Sequence, residues 1–234
     1  MLAYSGVVAP VRGRTWFATA LQDLRAQRTT RRAVYRRMLG RQLVRLAVVL
    51  VAVVLVPLGA AAVPVVTAHV PHGPHDLARQ FVNLSTAVEV GTLLLIQLVI
   101  IGRGARIPGF RKLAPLLPRT AAERREWTLV SIGAGVSEEL LYRGVLPALM
   151  LILDPRLSLV DVMLLQAVLF GVAHYYQGLV GMVATAVVGA LLGLSVLATG
   201  SLWPAVVAHV VLDARFVLLP PSALAWTEDA VPLS

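Results

Sequence analysis

Apolar residues are grouped in long runs along the chain rather than scattered. Six runs are long enough to cross a bilayer as helices, which takes ~17–25 residues each. They are Leu43–Val63, Leu84–Gly102, Trp127–Leu153, Leu157–Tyr176, Val180–Ala198 and Trp203–Leu219. Counts of five or seven spans are also compatible with the pattern. The fourth, fifth and sixth runs are separated by very short connections, so their helices must be antiparallel neighbours. The predicted class is all-α: a polytopic membrane helix bundle of about six spans.

Before the first run, Trp16, Phe17, Ala20, Leu21 and Leu24 recur at helical spacing, with arginines elsewhere on the wheel. This predicts an N-terminal basic amphipathic helix suited to an anionic membrane surface. A topology determinant alone is an equally good reading. The segment is not a signal peptide, because its apolar stretch starts too late and runs too long. Between the second and third runs, proline and glycine are frequent until Thr120. Thr120-Ala-Ala-Glu123 then forms a capping box, so the third helix should begin ahead of its apolar run. The predicted organisation is a basic N-terminal segment (1–42), two spans with a basic loop (43–126), a catalytic-type helical region (127–219) and a tail (220–234).

Composition agrees with a membrane protein. Hydrophobic residues make up 58% of the 234 and charged residues 14%, well below the roughly 25% of soluble domains. The net charge of +9 sits beside the apolar runs with no groove-binding motif around it, which argues against nucleic acid as a partner. Arg12, Arg14, Arg25, Arg28, Arg31, Arg32, Arg36, Arg37 and Arg41 precede the first run. Arg103, Arg106, Arg111, Lys112, Arg119, Arg124 and Arg125 lie between the second and third, whereas Arg79 stands alone between the first two. The positive-inside rule then puts both basic segments and both termini in the cytoplasm of a plasma-membrane protein, in contact with lipid. The chain has no cysteine, which removes disulfides, thiol catalysis and cysteine-ligated metal.

Candidate chemistry lies inside the third run. Glu138, Glu139 and Arg143 fall within six residues of one another, and each charge near a bilayer centre costs roughly 2.5–3.5 kcal/mol. Such groups must face a protein interior and find partners. Glu139 and Arg143, four residues apart, share a helix face and can pair. Glu138 lies about 100° round the helix and has no cation on its own helix, which makes it the candidate general base for water. Gly133, Ala134, Gly135 and Ser137 would let neighbouring helices approach closely. Later runs carry Phe170 and His174 one turn apart, then His209 and Asp213 one turn apart. Asp213 is placed to accept a hydrogen bond from His209 and fix its tautomer.

Taken together, Glu138-Glu139-Leu-Leu-Tyr-Arg143, Phe170-Gly-Val-Ala-His174 and His209-Val-Val-Leu-Asp213 resemble the EExxxR, FxxxH and HxxxN/D signatures of the CPBP (Abi/CAAX-protease) intramembrane proteases. Arg143-Gly144 with Leu146, Tyr176-Gln177-Gly178 and Ser201-Leu202-Trp203-Pro204 add to the likeness, which covers about Trp127 to Phe216. The resemblance implies an endopeptidase whose polar cavity lies between helices and whose substrate is a membrane-associated peptide or a lipidated protein tail. It implies that Glu138 and His174 activate water while His209 supports the oxyanion. Asp213 stands where the prenyl endopeptidases have asparagine; an ionised aspartate cannot donate, so an orienting role is expected. Phe170, Glu139 and Arg143 are expected to support the site.

A metal-free glutamate mechanism is favoured, because the chain has no HExxH and Arg143 already supplies positive charge. The alternative is Zn²⁺ held by Glu138, His174 and His209. His69, His72 and His75 form a string resembling a metal site, but the intervening prolines favour a solvated loop. Two further functions compete: a non-catalytic membrane scaffold or bacteriocin self-immunity protein, and a small transporter. The transporter would call for paired repeats, which the sequence does not show.

Overall fold

The computed structural model describes residues 9–55, 91 and 114–218, and among these every regular element is helical. Helices α1 (Ala9–Arg25) and α2 (Arg31–Leu55) are joined by a short turn. Helix α3 runs without a break through Ala121–Glu139, a π-helical turn at Leu140–Val145, and Leu146–Leu153. Helices α4 (Leu159–Ala173), α5 (Gly178–Thr199) and α6 (Trp203–Ala214) follow. Short 3-10 turns lie at Ala114–Leu116, Tyr175–Gln177 and Arg215–Leu218. The second predicted span, the His69/His72/His75 loop, the end of the first span and the tail beyond Pro220 lie outside the described residues.

Local sequence accounts for the helix ends. The Thr120 hydroxyl accepts from the Glu123 amide at 3.2 Å while Glu123 Oε2 accepts from the Thr120 amide at 2.9 Å. The predicted capping box is therefore formed, and α3 starts at Ala121, ahead of its apolar run. A second box, Ser158 with Asp161, starts α4. Gly200 ends α5 at φ 64°, a left-handed conformation that glycine adopts without steric cost.

Small residues set how closely the helices pack. A Cβ on Gly135 would come within 2.5 Å of Val210 Cγ2, so α6 lies directly on α3 there. On the side facing α2, a Cβ on Gly133 would sit 2.6 Å from Gln42 Oε1. Helices α4 and α5 meet in the same way, since a Cβ on Gly171 would be 2.6 Å from the Met182 carbonyl. The close approach expected at Gly133 and Gly135 is thus present, with α3 held between α2 and α6.

Helix α1 forms with the expected spacing, but its apolar face is covered by protein. Ala20 and Leu21 are buried in a cluster with Val34, Tyr35, Leu116, Leu117, Trp127, Val130 and Phe216, and Trp16, Phe17 and Leu24 pack against it. The expectation that this face lies on a lipid surface is corrected accordingly. Within that cluster Trp127 stands edge-on to Tyr35 at 5.4 Å and to Phe216 at 5.9 Å.

Many large apolar side chains among the described residues lie on the outer surface. Leu43, Val44, Leu164, Val168, Val180, Val183, Val187 and Val207 are exposed, while Glu139, Arg143 and Gln166 are fully buried. Among the described residues, the helical run Tyr175–Thr199 is long and apolar enough to cross a membrane, and Leu159–Ala173 is a shorter apolar helix.

At the Thr120 end, ion pairs tie α2 to α3. Arg32 and Arg36 reach Glu126 at 2.9 and 3.4 Å, and Arg31 approaches Glu123 at 3.6 Å. Burial pushes the Glu123 carboxyl up, but the Arg119 and Thr120 amides together with Arg31 outweigh it, and its pKa is held below the usual value of 4.5. A carboxyl with a depressed folded-state pKa contributes stability above its unfolded pKa and loses it as pH falls through the folded value. Melts in detergent should therefore show stability declining below pH 4.5. Glu123→Gln should flatten that decline and cost about 1 kcal/mol at neutral pH. An unchanged acid limb in the variant would contradict this.

Candidate active site

The site is built on the π-helical turn of α3. Here the Leu146 amide bonds back to the Leu141 carbonyl, five residues earlier, and Pro147 supplies no amide at all. The turn carries Tyr142 and Arg143, with Glu138 and Glu139 just before it. Arg143 Nη1 donates to Glu139 Oε1 at 2.8 Å, and both side chains are completely buried. Arg143 Nη2 donates to the Gly189 carbonyl of α5 at 3.0 Å. A Cβ on Gly189 would stand 3.0 Å from Phe170 and 3.1 Å from Arg143 Nη2, so a larger residue would press on both.

Phe170 is the apolar centre of the cluster. The Arg143 guanidinium lies 4.3 Å over its ring. The rings of Tyr142, His174 and His209 stand edge-on to it at 5.0, 4.7 and 5.8 Å. One side chain from α4 thereby holds in place groups from α3 and α6.

The two histidines take different positions. His174 terminates α4 at φ −95°, ψ 20°. Its Nδ1 is 2.8 Å from the Phe170 carbonyl. A carbonyl only accepts, so Nδ1 is the donor and Nε2 is turned toward Glu138, with Oε2 at 3.8 Å. His209, buried on α6, has Nδ1 2.7 Å from Glu139 Oε1, the same oxygen that accepts from Arg143. The direct hydrogen bond to this ring is made by Glu139 at Nδ1, while Asp213, expected to accept from His209, stands at the other nitrogen. Asp213 Oδ2 is 3.6 Å from His209 Nε2, too long for a direct bond, and its side chain is 43% exposed. The Asp213 backbone carbonyl accepts from Trp127 Nε1 at 2.9 Å, which ties α6 to α3.

The structure thus brings Glu138, Glu139, Arg143, Phe170, His174 and His209 together, with Asp213 at the edge. Two further residues complete the arrangement. Gly189 holds Arg143; its signal was the Gly189-Ala-Leu-Leu-Gly193 spacing, which marks close helix contact. Arg45 of α2 donates to Glu138 Oε1 at 2.5 Å, so Glu138 does have a cation, from another helix. Its signal was an arginine two residues inside the first predicted span. Among the described residues, no three His, Asp or Glu side chains gather as a metal-ligand set. Of the groups named for Zn²⁺, Glu138 Oε1 is held by Arg45 and His209 Nδ1 by Glu139.

A buried carboxylate facing an imidazole across a gap of 3.8 Å is the kind of pair that activates water in hydrolytic sites. Residues 122–215 match the family model "Type II CAAX prenyl endopeptidase Rce1-like". The match spans α3 through α6 and bears out the resemblance read from the three motifs. No curated relative and no solved structure matches the chain.

The two glutamates differ in burial, and their variants should differ too. Glu139→Gln leaves Arg143 charged and fully buried without its partner, which should lower stability by about 3–5 kcal/mol. Glu138→Gln affects Arg45, whose side chain is 37% exposed, so the loss should be clearly smaller. Equal losses for the two variants in detergent melts would contradict the assignment.

Proposed function

We propose that this chain is an intramembrane endopeptidase of the CAAX-protease type, hydrolysing a peptide bond in a membrane-associated or lipidated substrate. The observation that carries the reading is the opposition of Glu138 Oε2 and His174 Nε2 at 3.8 Å, both side chains largely buried. That gap exceeds a direct hydrogen bond, and a water lying beside it can reach both atoms. Glu138 accepts a proton as the water oxygen attacks the substrate carbonyl carbon. The proton then passes to the leaving amide nitrogen as the C–N bond breaks, and transfer of water's second proton to the freed amine gives a carboxylate and an ammonium. A protonated His209, flanked by Glu139 and Asp213, would offer Nε2–H to the tetrahedral oxyanion. Glu139, Arg143 and Phe170 support the site by fixing His209 and His174.

The exposed apolar surface favours a lipid surround, because a soluble domain seldom exposes large contiguous apolar patches. A bundle of about six spans with both termini cytoplasmic, in the plasma membrane, completes the proposal. The mechanism is metal-free in this reading, since Arg45 and Arg143 supply the positive charge beside the two carboxylates.

The reading is tested with a farnesylated peptide ending in a CAAX box and carrying a fluorophore and quencher across the scissile bond. Wild-type protein should cleave it, and Glu138→Gln should lower kcat at least about 100-fold while the protein still inserts and folds. Binding without cleavage by the wild type would favour a scaffold and overturn the proposal. Strong chelators should leave the rate intact. One zinc per chain, with activity lost to chelator and restored by added metal, would overturn the metal-free mechanism.

A further inference from the structure

We propose that Arg45 is a positioning residue for this reaction, and that helix α2, outside the matched segment, completes the site. The inference rests on the endopeptidase reading and adds to it a residue that none of the three motifs contains.

Each glutamate of the pair is held by one arginine, but from different sources. Glu139 takes Arg143 from one turn further along its own helix, whereas Glu138 takes Arg45 from α2, 93 positions away in sequence. Arg45 engages Oε1 and not Oε2, the oxygen that faces His174. A carboxylate tethered through one oxygen has fewer side-chain rotamers open to it, which keeps the other oxygen on the side of the imidazole. Without the tether, the Glu138 side chain could rotate about its own bonds and the 3.8 Å opposition would be lost.

Helix α2 is itself held firmly enough to act as a support. Gln42, one turn before Arg45, is buried against α3 where Gly133 leaves room for it. Val34 and Tyr35 are buried in the aromatic cluster, and the Tyr35 hydroxyl donates to the Leu116 carbonyl. The guanidinium at position 45 therefore projects from a helix anchored through the turns that precede it. Its contact with Glu138 is a single Nη1–Oε1 bond, so an ammonium in the same place can replace it, which a forked contact would not allow.

The experiment compares Arg45→Met, Arg45→Lys and Arg32→Met with wild type on the farnesylated reporter. Arg45→Met should lower kcat about 10- to 100-fold, the effect of misplacing a reacting group by about 1 Å, with KM changed less than about twofold. Arg45→Lys should recover most of that loss. Arg32→Met removes an ion pair of the same helix away from the site and should leave kcat unchanged. A wild-type kcat in Arg45→Met, or equal loss in the methionine and lysine variants, would overturn the proposal. If wild-type protein cleaves nothing, the endopeptidase reading fails separately. The Arg45–Glu138 link is then decided by melts of Arg45→Met, Glu138→Gln and the double variant. Losses that are less than additive support the coupling, and additive losses overturn it.

Discussion

A fully buried arginine cannot remain charged inside an apolar bundle unless its donors are matched, and Arg143 is such a residue. Hydrogen bonds to charged groups contribute about 1.5–3 kcal/mol each, but leaving one end unmatched costs several. Arg143 meets most of this demand with partners from three helices, Glu139 on α3 for Nη1, the Gly189 carbonyl on α5 for Nη2 and the Phe170 ring on α4, which leaves Nε as its one buried donor without a hydrogen bond among the described residues. Glu139 in turn receives His209 from α6 on the same oxygen. Satisfying one guanidinium therefore specifies how four helices assemble. It also leaves Glu138, the adjacent residue, facing a different quarter of the bundle.

That split gives the two carboxylates separate work. Glu139 is occupied on Oε1 by two donors and acts as the fixed point of the core. Glu138 is held on one oxygen by Arg45 and presents the other to His174. The π-helical turn matters here, because it widens the helix between the glutamates and Pro147 and still keeps Arg143 in reach of Glu139. Wide turns of this kind recur where a helix carries functional side chains.

Much of this was legible in the sequence, and the exceptions have physical causes. The Glu139–Arg143 pair follows from a four-residue spacing, the start of α3 from Thr120 and Glu123, and the close helix contacts from Gly133 and Gly135. These are local patterns, set by helix geometry alone. Arg45 was harder to place because a partner 93 residues away leaves no periodic trace. The one-turn spacing of Asp213 to His209 does bring it to the ring at Nε2, but the closer contact at Nδ1 comes from Glu139, 70 residues away in sequence and without a local signal. Helix α1 shows the same limit: its amphipathic pattern predicts an apolar face needing cover, and only the fold reveals that Tyr35, Leu117 and Trp127 provide it.

The central claim is that Glu138 and His174 deliver water directly to a peptide carbonyl. Mass spectrometry of a reaction quenched during turnover in heavy-oxygen water tests it most directly. The account predicts that the new carboxylate terminus carries heavy oxygen from solvent while the chain itself keeps its unmodified mass throughout. A chain whose mass is increased by the acyl fragment of the substrate would show a covalent intermediate, and would contradict the account.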